Sequence, residues 1–231
     1  MTAAGGAGPG HITADGCAVD LYAVLPAGPE PDLIAAAVPV GSSLLELGAG
    51  AGRITSELVA RGYPVVAVDD SAEMLAHVVG AETVVAGIEG LDLGRRFDAV
   101  VLGSHLINTS DTVQREEFVA ACARHLRPDG CVVIERHDPD WFDTAVEATA
   151  SYDGIEFGLR DITRPGAGLL SATVDYRIGE QSWTQTFTAE RMDDAAIAVL
   201  LGRYELEVDR YLDEAKTWIR AIRRSPTASA E

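Results

Sequence analysis

The sequence has little that would tie it to a disulfide scaffold, a polyanion or a bilayer. Its three cysteines, Cys17, Cys122 and Cys131, are odd in number and form no C-x-x-C pair. Neither a disulfide framework nor a thiolate zinc site is therefore expected, and the thiols read as buried core residues. Lys216 is the sole lysine among 18 basic residues, which face 36 acidic ones for a formal net charge of −18. Such a field repels DNA, RNA and anionic membrane surfaces, and leaves small neutral or cationic ligands open. No run reaches the ~18 uncharged apolar residues that a membrane helix needs. The opening MTAAGGAGPGHITADG has neither the basic patch nor the apolar stretch of a secretory signal, so the expected location is cytoplasmic.

What is present suits one globular domain with an insertion. The 231 residues are 47% hydrophobic and 23% charged, which excludes wholesale disorder and a fibrous fold. Residues 1–12 are Gly/Ala-rich without periodicity and are expected as a disordered tail. A first helix is expected over Asp15 to Leu25 and a second after Pro31. Ser43 to Leu47, Pro64 to Val68, Glu82 to Ala86, Phe97 to Leu102 and Cys131 to Glu135 are short apolar runs rich in β-branched residues. Helical spacing recurs between them, at Ile54 and Leu58 and at Phe118, Cys122 and Leu126. Unbroken apolarity predicts strands buried on both faces, and the alternation with helices predicts a mostly parallel sheet of α/β class. After Glu135 the period becomes two over three segments between Ile155 and Phe187, which predicts an antiparallel meander. A helix over Asp193 to Leu201 and strands over Tyr204 to Tyr211 and Thr217 to Arg223 complete seven strands. The division expected is 13–136 with 189–224 for the sheet domain, 137–188 for an inserted β lid, and 225–231 for a mobile tail.

The sharpest local signal is SLLELGAGAGRIT, Ser43 to Thr55, in which an apolar strand meets Gly48, Gly50 and Gly52 before a helical start. Glycine is required where the backbone takes positive φ and where a ligand approaches too closely for a Cβ. The spacing is G-x-G-x-G. A dinucleotide fingerprint fails, because Arg53 and Thr55 occupy the positions where a third glycine would fall, which argues against a nicotinamide oxidoreductase. Asp69 ends the next predicted strand and suits both hydroxyls of a ribose; read alone, Asp69 and Asp70 only terminate that strand. Asp70 or Ser71 can cap the following helix.

These segments resemble the class I S-adenosylmethionine-dependent methyltransferases of small-molecule type. The resemblance rests on ELGAGAGR, VVAVDDSAEML, RRFDAVVLGSHL and HLRPDGCVVIE, in matching order from about residue 40 to 136. It implies a Rossmann-like seven-stranded sheet with helices on both faces, S-adenosylmethionine as methyl donor and S-adenosylhomocysteine as product. By the same resemblance Glu46 and the loop of Gly48, Ala49, Gly50 and Gly52 hold the methionine part, Asp69 the ribose, and Asp70 with Met74 the adenine, while Arg53 and Ser104 join the cosubstrate-binding set. Gly87 stands where many members carry an adenine-binding aspartate, which passes that task to Ile88 and Glu89. Tyr22 covers the methionine end in one reading and is an ordinary core aromatic in the other.

Sulfonium methyl transfer needs alignment of acceptor and methyl above all, with a base only for hydroxyl or carbon acceptors. The carboxyl ends of the fourth and fifth strands place Ser104, His105 and Asn108, then Glu135, His137, Asp138 and Trp141, beside the reacting centre. His105 is the first candidate base and His137 the second; either also reads as a packing residue. A metal site built from Glu135, His137 and Asp138 is disfavoured, and no metal is expected. Phe157, Tyr176, Trp183 and Phe187 are expected to wall an acceptor pocket, or else to pack the lid or a dimer interface. The expected activity is methyl transfer to a small-molecule acceptor by a monomer or homodimer, the alternative being a non-catalytic S-adenosylmethionine-binding protein acting through a protein partner.

Overall fold

The computed structural model describes residues 5–225. Strand β1 (Gly5–Ala7) is followed by a one-turn helix α1 (Val19–Tyr22) and by α2 (Glu30–Ala37). Strands and helices then alternate: β2 (Leu44–Leu47), α3 (Arg53–Ala60), β3 (Val65–Asp69), α4 (Ala72–Leu75) and β4 (Glu82–Val85). Next come β5 (Phe97–Leu102), α5 (Thr112–His125) and β6 (Leu126–Glu135). A short α6 (Trp141–Thr144) leads into β7 (Ala148–Tyr152), β8 (Ile155–Thr163), β9 (Leu169–Ile178) and β10 (Gln181–Glu190). Helix α7 (Asp194–Gly202) and the antiparallel strands β11 (Leu206–Tyr211) and β12 (Trp218–Arg223) finish the described chain. No helix among the described residues is long and apolar enough to cross a membrane.

The larger sheet has seven strands in the order β11-β12-β6-β5-β2-β3-β4. Pairing is parallel among β4, β3, β2, β5 and β6, while β12 runs antiparallel to β6 and to β11. The unbroken apolar runs are explained by two cores. Leu45, Leu47, Val66, Val68, Val100 and Leu102 point to one face, where they meet Phe118 of α5 and Ile197 of α7. Their neighbours Leu44, Val65, Ala99 and Val101 point to the other, against Ile34 of α2 and Ile54 and Leu58 of α3. Successive residues of a strand face opposite ways, so strands with helices on both sides are apolar where the helices cover them, except at Glu46 of β2, whose buried carboxyl is hydrogen-bonded by Thr55. Strand order reverses between β2 and β5, which leaves a crevice beyond their carboxyl ends.

The second sheet is antiparallel, in the order β1-β10-β9-β8-β7, and corrects the sequence reading in two respects. It has a fourth meander strand, β7, whose five residues Ala148 to Tyr152 are all exposed and, but for Tyr152, small. Its fifth strand comes from the segment expected as a disordered tail: Gly5, Gly6 and Ala7 pair with Thr186, Gln185 and Thr184 of β10. Residues 1–4 and 226–231 of the expected tails lie outside the described residues. Of the glycines that suggested a floppy segment, Gly6 is instead required by close packing, since a Cβ there would stand 2.0 Å from the carbonyl oxygen of Gly16. Gly16 itself has φ +91°, and a Cβ there would stand 2.4 Å from the carbonyl carbon of Gly5. The Trp183 indole N–H donates to the Pro9 carbonyl at 2.9 Å, while its ring packs on Ala18 and Leu21. The first helix is shorter than expected, because residues 12–18 fold back as a tight turn closed by the antiparallel Ile12–Ala18 bridge and form a strap with residues 5–11.

Gly16→Val should therefore peel the strap without unfolding the central sheet. Amide exchange is expected to accelerate over residues 5–19 while β2, β5 and β6 keep their protection. Unchanged protection of the strap would mean that the Gly5–Gly16 contact does not hold it.

Candidate active site

The crevice at the strand-order reversal is a cavity of about 280 Å³. Its floor is the turn after β2, where Gly48, Ala49, Gly50 and Ala51 line it together with Arg53. Gly50 has φ +56°, and a Cβ added there would meet no protein atom within 4 Å. It would project into open space, as a ligand cradle requires. Asp69, at the end of β3, accepts the Gly50 N–H on Oδ2 at 2.8 Å and the Ser71 N–H on Oδ1 at 3.0 Å. Both carboxylate oxygens are thus oriented by backbone, with lone pairs left for a ribose. Burial raises the Asp69 pKa, with the two amide bonds opposing it. Ser71 caps α4, its hydroxyl accepting the Met74 N–H at 3.1 Å, so Asp70 is left to line the cavity with Met74. Ala86, Gly87, Ile88 and Glu89 form the opposite wall, with Leu106 and Phe118.

Of the residues singled out in the sequence for the cosubstrate, Tyr22, Gly48, Ala49, Gly50, Arg53, Asp69, Asp70, Met74, Ile88, Glu89 and Ser104 line this cavity. Glu46 and Gly52 do not. Gly52 is the left-handed N-cap of α3, where a Cβ would press on Val78 at 2.8 Å. Glu46 is buried and accepts the Thr55 hydroxyl at 2.6 Å. Desolvation raises its carboxyl to about 7, against the opposing Thr55 bond. Sequence reading also missed Thr13, Asp15, Cys17, Gln114 and Gln185, all of which line the cavity. The first three sit on the strap, and Gln185 joins it to the second sheet by accepting the Tyr22 hydroxyl on Oε1 at 3.1 Å and donating to Cys17 Sγ at 3.1 Å. Cys17 is therefore a half-buried wall residue rather than core, and desolvation pushes its thiol up to about 12, which keeps it protonated and unreactive.

A second cavity, of about 400 Å³, adjoins the first and shares Tyr22, Arg53 and Ser104 with it. Its remaining wall includes Glu30, His105, Glu135, Tyr152, Phe157 and Tyr176. Ser104 and His105 both take left-handed backbone, φ 53° and 56°, a conformation that costs a non-glycine residue energy unless its surroundings impose it. Here Glu135 imposes it. Its Oε2 accepts the Ser104 N–H at 2.6 Å and its Oε1 lies 3.6 Å from His105 Nε2. Desolvation lowers the His105 pKa below 6.5, with the Glu135 charge acting against it, so the imidazole is neutral at pH 7 and able to accept a proton.

His137 lies outside the linings of both cavities and stacks between His105, at 3.8 Å between ring centroids, and Trp141, at 4.6 Å. Desolvation, helped by His105, lowers its pKa to about 3. It is a packing partner of His105 and a poor candidate base: it lines neither cavity, and its depressed pKa makes it a weak proton acceptor near neutrality. Its amide N–H donates to Asn108 Oδ1 at 2.9 Å, and Asn108 Nδ2 donates to the Glu190 carbonyl at 2.8 Å, which ties this loop to β10. Of the four aromatics expected over the reacting centre, Phe157 and Tyr176 line the second cavity, whereas Trp183 holds the strap and Phe187 continues the His137–Trp141 stack. No group of three or more metal-ligating side chains occurs among the described residues.

Sheet order, glycine turn and clamped Asp69 define a doubly wound nucleotide-cosubstrate fold. Residues 45–134 match the family model described as a methyltransferase domain. The sequence is 30% identical over 139 residues to the dTDP-3-amino-3,4,6-trideoxy-alpha-D-glucopyranose N,N-dimethyltransferase of Streptomyces venezuelae, a match covering 58% of this chain and 57% of that protein. The chain therefore spans little more than half of that relative's length. Among solved structures, an S-adenosylmethionine-dependent methyltransferase from Clostridium acetobutylicum superposes with TM-score 0.72 at 16% identity, over 89% of this chain and 95% of that one. An amino pentose methyltransferase from Micromonospora echinaspora, solved with S-adenosylmethionine bound, gives 0.65 at 20% identity over 90% and 92%. Residues 45–134 thus carry the pattern of a methyltransferase domain, on a fold shared with solved S-adenosylmethionine-dependent methyltransferases.

Two measurements follow from this geometry. Asp69→Ala should weaken S-adenosylhomocysteine binding by roughly 1.5 to 3 kcal/mol in calorimetry, since a charge-assisted bond is lost, and Gly50→Val should weaken it more; equal affinity in wild type and both variants would make the turn structural only. Glu46 keeps its proton to about pH 7 when folded, against 4.5 for the ordinary carboxyl. Its stabilising share is complete below pH 4.5 and is lost as pH rises towards 7, a swing of roughly 3 kcal/mol. Glu46→Gln retains the Thr55 bond, so in urea unfolding the wild type should lose stability relative to the variant between pH 5 and 7. A constant difference across that range would refute the buried, protonated carboxyl.

Proposed function

We propose that the chain transfers a methyl group from S-adenosylmethionine to a small-molecule acceptor, releasing S-adenosylhomocysteine. The observation that carries this reading is the junction of the two cavities at Tyr22, Arg53 and Ser104. The first has a glycine floor and an oriented ribose carboxylate; the second has an imidazole and aromatic walls. A protein that only bound S-adenosylmethionine would not need the second. Asp15, Asp69, Asp70 and Glu89 against Arg53 give the first cavity an excess of negative charge, which suits a cosubstrate bearing a sulfonium and an ammonium. Bound there, S-adenosylmethionine supplies an electrophilic methyl for in-line displacement.

The chain's own part is alignment and the exclusion of water. Gly50 and Asp69 orient the nucleoside, the strap closes over it through Thr13, Asp15 and Cys17, and Tyr22 with Ser104 stands at the junction. His105, neutral and held by Glu135, accepts a hydrogen bond or a proton from the acceptor. The relatives named as sugar methyltransferases support an acceptor of metabolite size, and the charge of −18 disfavours nucleic acid or an anionic membrane. A cytoplasmic biosynthetic role, a monomeric or homodimeric state, and a lid formed by residues 137–188 belong to the same proposal.

Incubation with methyl-labelled S-adenosylmethionine and a metabolite extract should yield a labelled small product by mass spectrometry. His105→Ala should then slow turnover while leaving S-adenosylhomocysteine affinity unchanged. The loss is about 10²- to 10⁴-fold if His105 is an obligatory base for the acceptor, and about tenfold if it only orients an acceptor that arrives already deprotonated. The acid limb of kcat/KM should lie below pH 6.5 and disappear in the variant, whereas His137→Ala should leave that limb in place. No labelled product with cosubstrate bound would return the reading to a binding protein.

A further inference from the structure

Two side chains that line the second cavity, Glu30 and His105, each hold a buried polar atom without a partner, and both atoms are of the same kind. Glu30, at the start of α2, commits Oε1 to Arg53 at 2.5 Å, while its Oε2 is buried and unpaired. His105 Nδ1 is likewise buried and unpaired, while Nε2 faces Glu135 Oε1 at 3.6 Å. A proton on Nε2, the edge turned towards that carboxylate, leaves Nδ1 as an acceptor. Two acceptors on side chains that line one cavity therefore lack donors, and each carries its desolvation cost without return. The charge has the same sense. Glu30 and Glu135 against the single guanidinium of Arg53 leave one negative charge in excess.

We infer that this cavity takes the acceptor through a protonated amine, whose N–H donors satisfy Glu30 Oε2 and His105 Nδ1. An ammonium brings three donors and one positive charge, and so meets both shortages together. A hydroxyl brings one donor and no charge; a carboxylate brings neither and is repelled. Leu25, Pro26, Ile155, Phe157 and Tyr176 supply an apolar surface for the carbon skeleton. Glu30 is then a specificity-determining residue, a role that its position ahead of the glycine motif does not disclose. The inference rests on reading this cavity as the acceptor site. Before methyl transfer the ammonium gives one proton to His105, which becomes an imidazolium beside the Glu135 carboxylate. The freed lone pair then forms the N–C bond as the C–S bond breaks, with its electron pair retained by sulfur.

The test uses three probes of one shape, cyclohexylamine, cyclohexanol and cyclohexanecarboxylate, titrated calorimetrically into the full chain saturated with S-adenosylhomocysteine. The amine is expected to bind at least tenfold more tightly than the other two, with a preference that weakens as salt rises. In Glu30→Gln that preference should fall below threefold. An amine that binds no better than the alcohol in the wild type overturns the inference, as does a folded Glu30→Gln protein that keeps the preference. Should the variant fail to fold, the wild-type comparison decides alone. If S-adenosylhomocysteine does not bind, the methyl-transfer reading fails by itself, and the amine preference is read in the same titration without it.

Discussion

A parallel sheet can be roofed by crossover helices everywhere except where its strand order reverses, and that one gap organises this protein. The chain runs outward from β2 through β3 to β4, then returns to place β5 on the other side of β2. Beyond the carboxyl ends of β2 and β5 no crossover passes. The turn at Gly48 to Gly52 and the loop at Ser104 and His105 border the opening directly. Everything that looks functional depends on how these two loops are held. Asp69 fixes the first by accepting the Gly50 N–H, and Glu135 fixes the second by accepting the Ser104 N–H. A carboxylate at the end of a neighbouring strand performs the same service on each side.

The second sheet then acts on the gap from above. It reaches the first cavity through Gln185 of β10 and the strap attached to β1, and the second through Tyr152, Phe157 and Tyr176. Both cavities therefore share one sheet as part of their walls. A strand pair between residues 5–7 and 184–186 closes one of them, and the same sheet walls the other. The His105, His137 and Trp141 stack adds a further tie between the β5 loop, the end of β6 and α6. Its low-dielectric packing depresses both imidazole pKa values, which makes His105 a neutral acceptor at physiological pH and leaves His137 a weak one.

The central sheet was legible because its physics is local. Four of the five short β-branched runs are buried on both faces, which only one architecture allows, whereas the edge strand β4 is largely exposed and departs from that expectation. The glycine turn and Asp69 were legible for a related reason, since positive φ and a strand-end carboxylate leave marks at fixed spacing. The strap was misread because glycine has two opposite meanings. In Gly5 to Gly16 the small residues permit backbone to pass against backbone, whereas the same letters without tertiary context spell a flexible tail. Strand β7 was missed because its alternation sets two alanines and Tyr152 against Thr149 and Ser151, too weak a contrast to mark a buried face, and all five residues are exposed. Glu30 and Gln185 were invisible for a deeper reason: their roles arise from unpaired or bridging atoms brought together across long sequence separations, 23 residues for Glu30 to Arg53 and 163 for Tyr22 to Gln185.

The central claim is that two loops at one strand-order reversal divide the gap into a cosubstrate half and an acceptor half. A crystal structure of the chain with S-adenosylhomocysteine tests it most directly. The account predicts ribose hydroxyls on Asp69, the nucleoside over Gly50, and the sulfur turned towards Tyr22, Arg53 and Ser104 at the entrance to the second cavity. A ligand seated elsewhere, or one whose sulfur points away from that junction, would contradict it.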